Sequence, residues 1–127
     1  MYLVTWALAN RADPLTGPDR DLVAETLMHF HGDRFELFVA VVMDDHVHAI
    51  LRPGQGHPLE KIMHSWKSFT AHQLVKRGRT APVWTQEYHD RIIREGPHLF
   101  EAIKYVRTNP ERRWPGVREY KWTIAPA

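Results

Sequence analysis

Apolar and polar positions along the 127-residue chain fall into segments of two periods. Met1 to Ala9 alternates weakly and is rich in strand formers, which predicts a first strand. "NRADPLTGPD" follows, a loop marked by Asn, Asp, Gly and two prolines. From about Arg20 to His31, Leu22, Val23, Leu27 and Phe30 share one helical face, with Asp19 placed to cap it and "HGD" to end it. "RFELFVAVVMD" and "HVHAILRP" predict two strands joined by a tight turn at Asp44-Asp45, an antiparallel hairpin. Leu59 to about Arg77 carries Leu59, Ile62, Met63, Trp66, Phe69 or Thr70, and Leu74 at steps of three and four, a long helix. "VWTQEYHDRIIRE" is extended at least in part. Gly96-Pro97 opens a third helix over about His98 to Thr108, and Asn109-Pro110 ends it. The tail "ERRWPGVREYKWTIAPA" reads as irregular.

Strands and helices alternate, and one strand pair is an antiparallel hairpin. That favours an α+β fold over a doubly wound parallel sheet. The length suits one domain, residues 1–127, and 43% hydrophobic residues suffice for one modest core. The chain has no cysteine, which removes disulfides, thiolate zinc sites and cysteine nucleophiles and is compatible with the cytoplasm. The apolar stretch at the N-terminus has no basic leader or small-residue cleavage site and reads as a strand. Nothing approaches the roughly 20 apolar residues of a membrane span.

Charge changes this picture. Residues 1–51 hold three Lys/Arg against eight Asp/Glu, net −5, and residues 52–127 hold fourteen against seven, net +7. A basic working surface in the second part, or a solvated helix face, accounts for the split.

The candidate chemistry starts in "DDHVHAILRP". Strand side chains alternate faces, so His46 and His48 point the same way while Val47 points to the other. Two imidazoles on one rigid strand can converge on a cation, although such a pair can also simply face solvent. They do not complete a metal site, and no HExxH spacing supplies a third ligand. The third helix contains "AIKYVRTNP", where Tyr105 and Asn109 lie one turn apart. Across the sheet they would face the histidines as a nucleophile and an amide ligand. Alone, the tyrosine also fits a core residue and the Asn-Pro a helix stop.

His-hydrophobic-His on a strand, "SWKSFTA" on a helix, "VWTQEYHDRIIR" and then "YVRTNP" together resemble the REP-associated tyrosine transposases. These form part of the single-tyrosine branch of the HUH endonuclease superfamily. The resemblance runs from "LVTWALANR" to "VREYKW". It implies a ferredoxin-like HUH arrangement, an antiparallel sheet with helices on one face. It implies Tyr105 as nucleophile, His46 and His48 as metal ligands, and Asn109 completing the metal site. Three departures stand out: Asp44-Asp45 where the family often has Pro-Asn, "NPERRWPG" in place of Asn-Pro-Val-Arg-Ala-Gly, and Thr85 between Trp84 and Gln86.

The implied reaction is cleavage of single-stranded DNA beside a hairpin through a covalent 5′-phosphotyrosine. Two imidazoles and one amide form a weak, open site for Mg²⁺ or Mn²⁺, with Mn²⁺ bound more tightly and zinc unproductive. Lys61, Lys67, Arg77, Arg79, Arg91 and Arg94 are interleaved with Trp66, Phe69, Trp84 and Tyr88. Cations there would track phosphates and Trp84 would stack a base. Helical spacing assigns Trp66 and Phe69 to the core, and Lys67 sits where it could approach the active site. Short loops and a short tail favour a monomer over a homodimer. Three alternatives stay open: a catalytically inactive hairpin-binding relative, a small-molecule metal hydrolase using His89 or Asp90 as further ligands, and Tyr88 or Tyr120 as nucleophile.

Overall fold

The structure, a computed structural model, describes residues 1–126. Five strands form one sheet: β1 (Tyr2–Ala7), β2 (Phe35–Val42), β3 (His46–Pro53), β4 (His89–Ile92) and β5 (Thr123–Ile124), in the order β4-β1-β3-β2-β5, every pair antiparallel. β2 and β3 are the expected hairpin, closed by the Met43 N–H donating to His46 O at 2.8 Å across Asp44-Asp45. β5 lies in the tail read as irregular. Two residues paired with Ala40 and Val41 leave no periodic signal.

The helices are α1 (Gly17–Met28), α2 (Leu59–Lys76), α3 (Pro97–Arg107) and the short α4 (Asn109–Arg113). α1 starts earlier than its apolar pattern indicates. Thr16 is the cap, its hydroxyl accepting from the Asp19 N–H at 3.2 Å, and a proline fits the first turn, where its missing N–H has no helical partner. Gly96 turns the chain into α3 at φ +84°, a conformation that strains any residue with a Cβ. Asn109-Pro110 ends α3 as expected, but the chain then continues into α4, whose first turn accommodates Pro110.

α1 and α2 cover one face of the sheet. There Trp6, stacked on Trp66 at 5.8 Å between ring centroids, packs with Val47, Ala49 and Leu51. α3 covers the opposite face through Ala102 and Val106, against Leu3, Val39, Val41 and Ile50, so the helices pack on both faces of the sheet and not on one as expected. Both faces of β3 are therefore buried, which is why the strand around the histidines is almost continuously apolar. Burial of the odd positions packs β3 onto α2. The even positions, His46, His48 and Ile50, are turned toward α3.

Candidate active site

Alternation along β3 and the placement of α3 bring the histidines to the tyrosine. The His46 and His48 rings meet edge-on with centroids 4.8 Å apart, and the His48 ring meets Tyr105 the same way at 5.5 Å. His48 is buried, whereas Tyr105 is 44% exposed. Each imidazole is fixed through Nδ1. Asp45 Oδ1 accepts from His46 at 2.6 Å, and the Thr5 hydroxyl pairs with His48 at 2.7 Å across the β1–β3 register. Each ring is left with Nε2 as its free nitrogen, the arrangement typical of metal-binding histidines. Asn109 opens α4 one turn beyond Tyr105, and its amide makes no hydrogen bond among the described residues.

Burial, then the nearby His46 and Arg112, lowers the His48 pKa to about 4, so its ring is neutral at pH 7. This predicts a stability effect. Below the ordinary value of 6.5 the unfolded chain takes up a proton that the folded chain refuses. The contribution is complete above about pH 6.5 and is lost as pH falls through about 4, on the order of 3 kcal/mol. Urea unfolding in EDTA across this window should show wild type losing stability relative to His48→Gln. Parallel curves would refute the assignment.

Asp45 is the hub of a charged collar around the site. Burial pushes its carboxyl up, but the bonds from Arg11 (3.1 Å) and His46 outweigh that and hold it below the usual range. Arg113 on α4 reaches Asp44 at 2.9 Å and Asp45 at 3.8 Å. Two of the sequence departures thus touch each other: the Asp44-Asp45 turn carries carboxylates, and α4 carries the arginine that meets them. The pair ties the α4 segment to the histidine strand.

Tyr105 is the tyrosine whose ring meets His48. Tyr120 is half-buried and donates its hydroxyl to Val42 O at 2.7 Å, and Tyr88 packs with the α2 core on the other face of the sheet. Among the described residues no group of three or more His, Asp or Glu could hold a metal, so His89 and Asp90 do not join His46.

The family model described as "Transposase IS200 like" matches residues 1–109. The chain belongs to the IS200-like transposases. A REP-associated tyrosine transposase bound to a REP hairpin is similar to it at TM-score 0.80 and 19% identity, over 96% of this chain and 74% of that one. A crystal structure from Deinococcus radiodurans R1, assigned to the transposases, is similar at TM-score 0.63 and 20% identity, over 85% and 88%. These likenesses establish the fold as that of the REP-associated tyrosine transposases. No curated protein matches the chain. No helix among the described residues is long and apolar enough to cross a membrane.

The expected DNA-binding set of this IS200-like transposase divides. Arg91 lines a groove of about 440 Å³ beside Tyr105, with Thr5, His98 and Glu101 in its walls, and Arg94 is exposed just past the same edge strand. Lys61 is exposed on α2, across the sheet. Lys67 does not approach the active site. It donates to the carbonyls of Thr85 and Gln86 at 2.9 and 3.0 Å and pins that loop to α2. Arg77 bonds Pro18 O at 3.1 Å near Asp19. Trp84 is no stacking platform. It is buried, edge-on to Trp6, and donates its indole N–H to Thr70 at 2.9 Å. Phe69 reverses its expectation and is half exposed, because Thr70 takes the inward position.

Arg79 is likewise structural. Its guanidinium is nearly buried and donates to Asp13 O at 2.7 Å and Pro14 O at 3.0 Å, holding the loop before α1. Arg79→Ala should destabilise the fold by about 2 kcal/mol, because it strips carbonyls of a charged donor. A urea midpoint measures this, and an unchanged midpoint would return Arg79 to the DNA-binding set.

The residues missed by sequence reading are Thr5, Asp45, Arg112 and Arg113. Only Asp45 carried a signal, as the neighbour of His46. Thr5 depends on strand register, and the two arginines on how α4 folds back.

Proposed function

We propose that this transposase cleaves and rejoins single-stranded DNA next to a hairpin through Tyr105. The observation that carries the reading is the exposed Tyr105 ring standing against His48 of its own chain. The Tyr105 oxygen attacks a phosphodiester, loses its proton and becomes joined to the 5′ phosphate. The bond to the 3′ oxygen breaks, and that oxygen leaves as a hydroxyl after gaining a proton. Return attack by a 3′ hydroxyl restores the tyrosine, so no nucleotide cofactor is consumed.

His46 and His48, through Nε2, and the Asn109 amide would hold a divalent ion, Mg²⁺ or Mn²⁺. The donor chemistry fits: both imidazoles are held through Nδ1, His48 is neutral, and the Asn109 oxygen has no hydrogen-bond partner among the described residues. Bound there, the ion would polarise the phosphate and offset its developing charge. The chain's own groups do the rest. Thr5 and Asp45 fix the imidazole rings. The groove lined by Arg91 receives a nucleotide beside the scissile phosphate, and Arg94 extends that basic edge. Contact between Tyr105 and His48 within one chain supports action by a monomer. The hairpin bound to the similar transposase supports a hairpin substrate.

The test is a denaturing gel after incubation with a labelled pool of hairpins carrying single-stranded flanks, in Mn²⁺ and in EDTA. The expected result is a metal-dependent protein–DNA adduct. Tight hairpin binding by the folded protein with no adduct in any metal would instead make the chain a hairpin-binding relative.

A further inference from the structure

Arg112 on α4 has no part in the chemistry so far. Its Cζ stands 4.6 Å from the centre of the Tyr105 ring. Two bonds hold it there: one terminal nitrogen donates to Thr108 Oγ1 at 2.6 Å and the other to the Tyr105 carbonyl at 2.8 Å. Both acceptors belong to the turn that carries the nucleophile, so the guanidinium is fixed relative to the phenol and not to the protein surface at large.

The neighbouring cations contrast with it. Arg113 and Arg11 are matched by Asp44 and Asp45. Arg112 pairs with no carboxylate among the described residues. A guanidinium has five N–H donors in a planar fork suited to phosphate. With two engaged, three remain. An arginine fixed over the nucleophile, with unused donors and no counter-ion, is built to receive an anion at the reacting centre.

We propose that Arg112 is a catalytic residue that grips the scissile phosphate, donating to a non-bridging oxygen while the Tyr105 oxygen attacks phosphorus. This rests on the strand-transfer reading above. During the step the new bond runs from the Tyr105 oxygen to phosphorus, and the bond to the 3′ oxygen breaks. The phenolic proton is lost and the departing 3′ oxygen gains one. Negative charge on the non-bridging oxygens is greatest midway, where fixed donors stabilise it most.

The experiment compares wild type, Arg112→Ala and Arg112→Lys in single-turnover adduct formation at saturating DNA. Each is run on the ordinary phosphodiester and on the same DNA with a neutral methylphosphonate at the cleavage position. On the phosphodiester, Arg112→Ala should slow the reaction about 100- to 1,000-fold, the loss typical of removing a charge-stabilising donor. Arg112→Lys, keeping the charge without the fork, should recover part of it. On the methylphosphonate the Arg112→Ala penalty should shrink to less than about fivefold, because no charged oxygen remains to grip. Equal penalties on the two backbones would overturn the proposal and leave Arg112 as a prop for the tyrosine turn. Absence of adduct from wild type on the ordinary phosphodiester would overturn the strand-transfer reading itself, and this one with it.

Discussion

Tyr105→Phe should abolish the protein–DNA adduct while leaving the fold and any hairpin binding intact. The substitution removes one exposed oxygen and nothing that packs. Tyr105 is 44% exposed, and the anchors of α3 are Ala102 and Val106, both buried on the sheet. The Tyr105 backbone carbonyl still receives Arg112, and the phenylalanine ring still offers a face to the cation and an edge to His48. Thermal stability should therefore stay within about 0.5 kcal/mol of wild type, as for other surface substitutions. Adduct formation should fall by more than about ten-thousandfold, because the phenolic oxygen proposed to accept the 5′ phosphate is gone. Tyr120 is engaged with Val42, and Tyr88 lies on the far side of the sheet. An adduct that persists in the variant, mapped by peptide mass to either of those residues, would reassign the nucleophile.

The legible parts of this chain are those in which local pattern and tertiary packing agree. β2 and β3 are dense apolar runs meeting at two aspartates, and α2 keeps its apolar stripe for five turns, so both were readable to within a residue or two. The start of α1 was misplaced because Asp19 and Thr16 are both competent caps, and only the backbone decides between them. His46, His48 and Tyr105 were readable because alternation on a strand and spacing on a helix are local facts. Their meeting needed α3 on the face opposite α1 and α2, and no local pattern reports which face a helix takes.

Charge and aromatic residues were the least legible. A run of cations and rings between residues 60 and 95 looks the same in sequence whether it tracks phosphates or ties loops together. Lys67 and Arg79 hold backbone carbonyls, and Trp84 is a core residue with its N–H satisfied by Thr70. Arg91 differs from them only in lying on an edge strand beside the groove that runs to Tyr105. The departures in the turn before His46 and in the segment after Asn109 gave no hint of being related. Folding places Arg113 against Asp44, and the two differences become one contact.

Removing the divalent ion, or a ligand for it, is the second large effect expected. In EDTA adduct formation should fall about a thousandfold or more, the scale of the several kcal/mol that a metal supplies to a developing phosphoryl charge. Mn²⁺ and Mg²⁺ should each restore it, with half-restoration at lower Mn²⁺, since imidazole ligands favour it over Mg²⁺. His48→Gln tests the site without activity. Its side chain can still reach toward Thr5, so the fold is kept. The nitrogen proposed as a ligand is lost, and Mn²⁺ affinity by calorimetry should weaken by about tenfold or more. Thr5→Val should weaken it less, because it frees the ring to turn without removing the nitrogen. Asp45→Asn should behave similarly at His46, where the carboxylate that takes the Nδ1 proton becomes an amide able to bond the ring in either sense. Unchanged Mn²⁺ binding in His48→Gln would exclude the β3 histidines as the metal site. The pair would then be a buried polar contact, with Thr5 and Asp45 satisfying two rings that face a helix and not a cation.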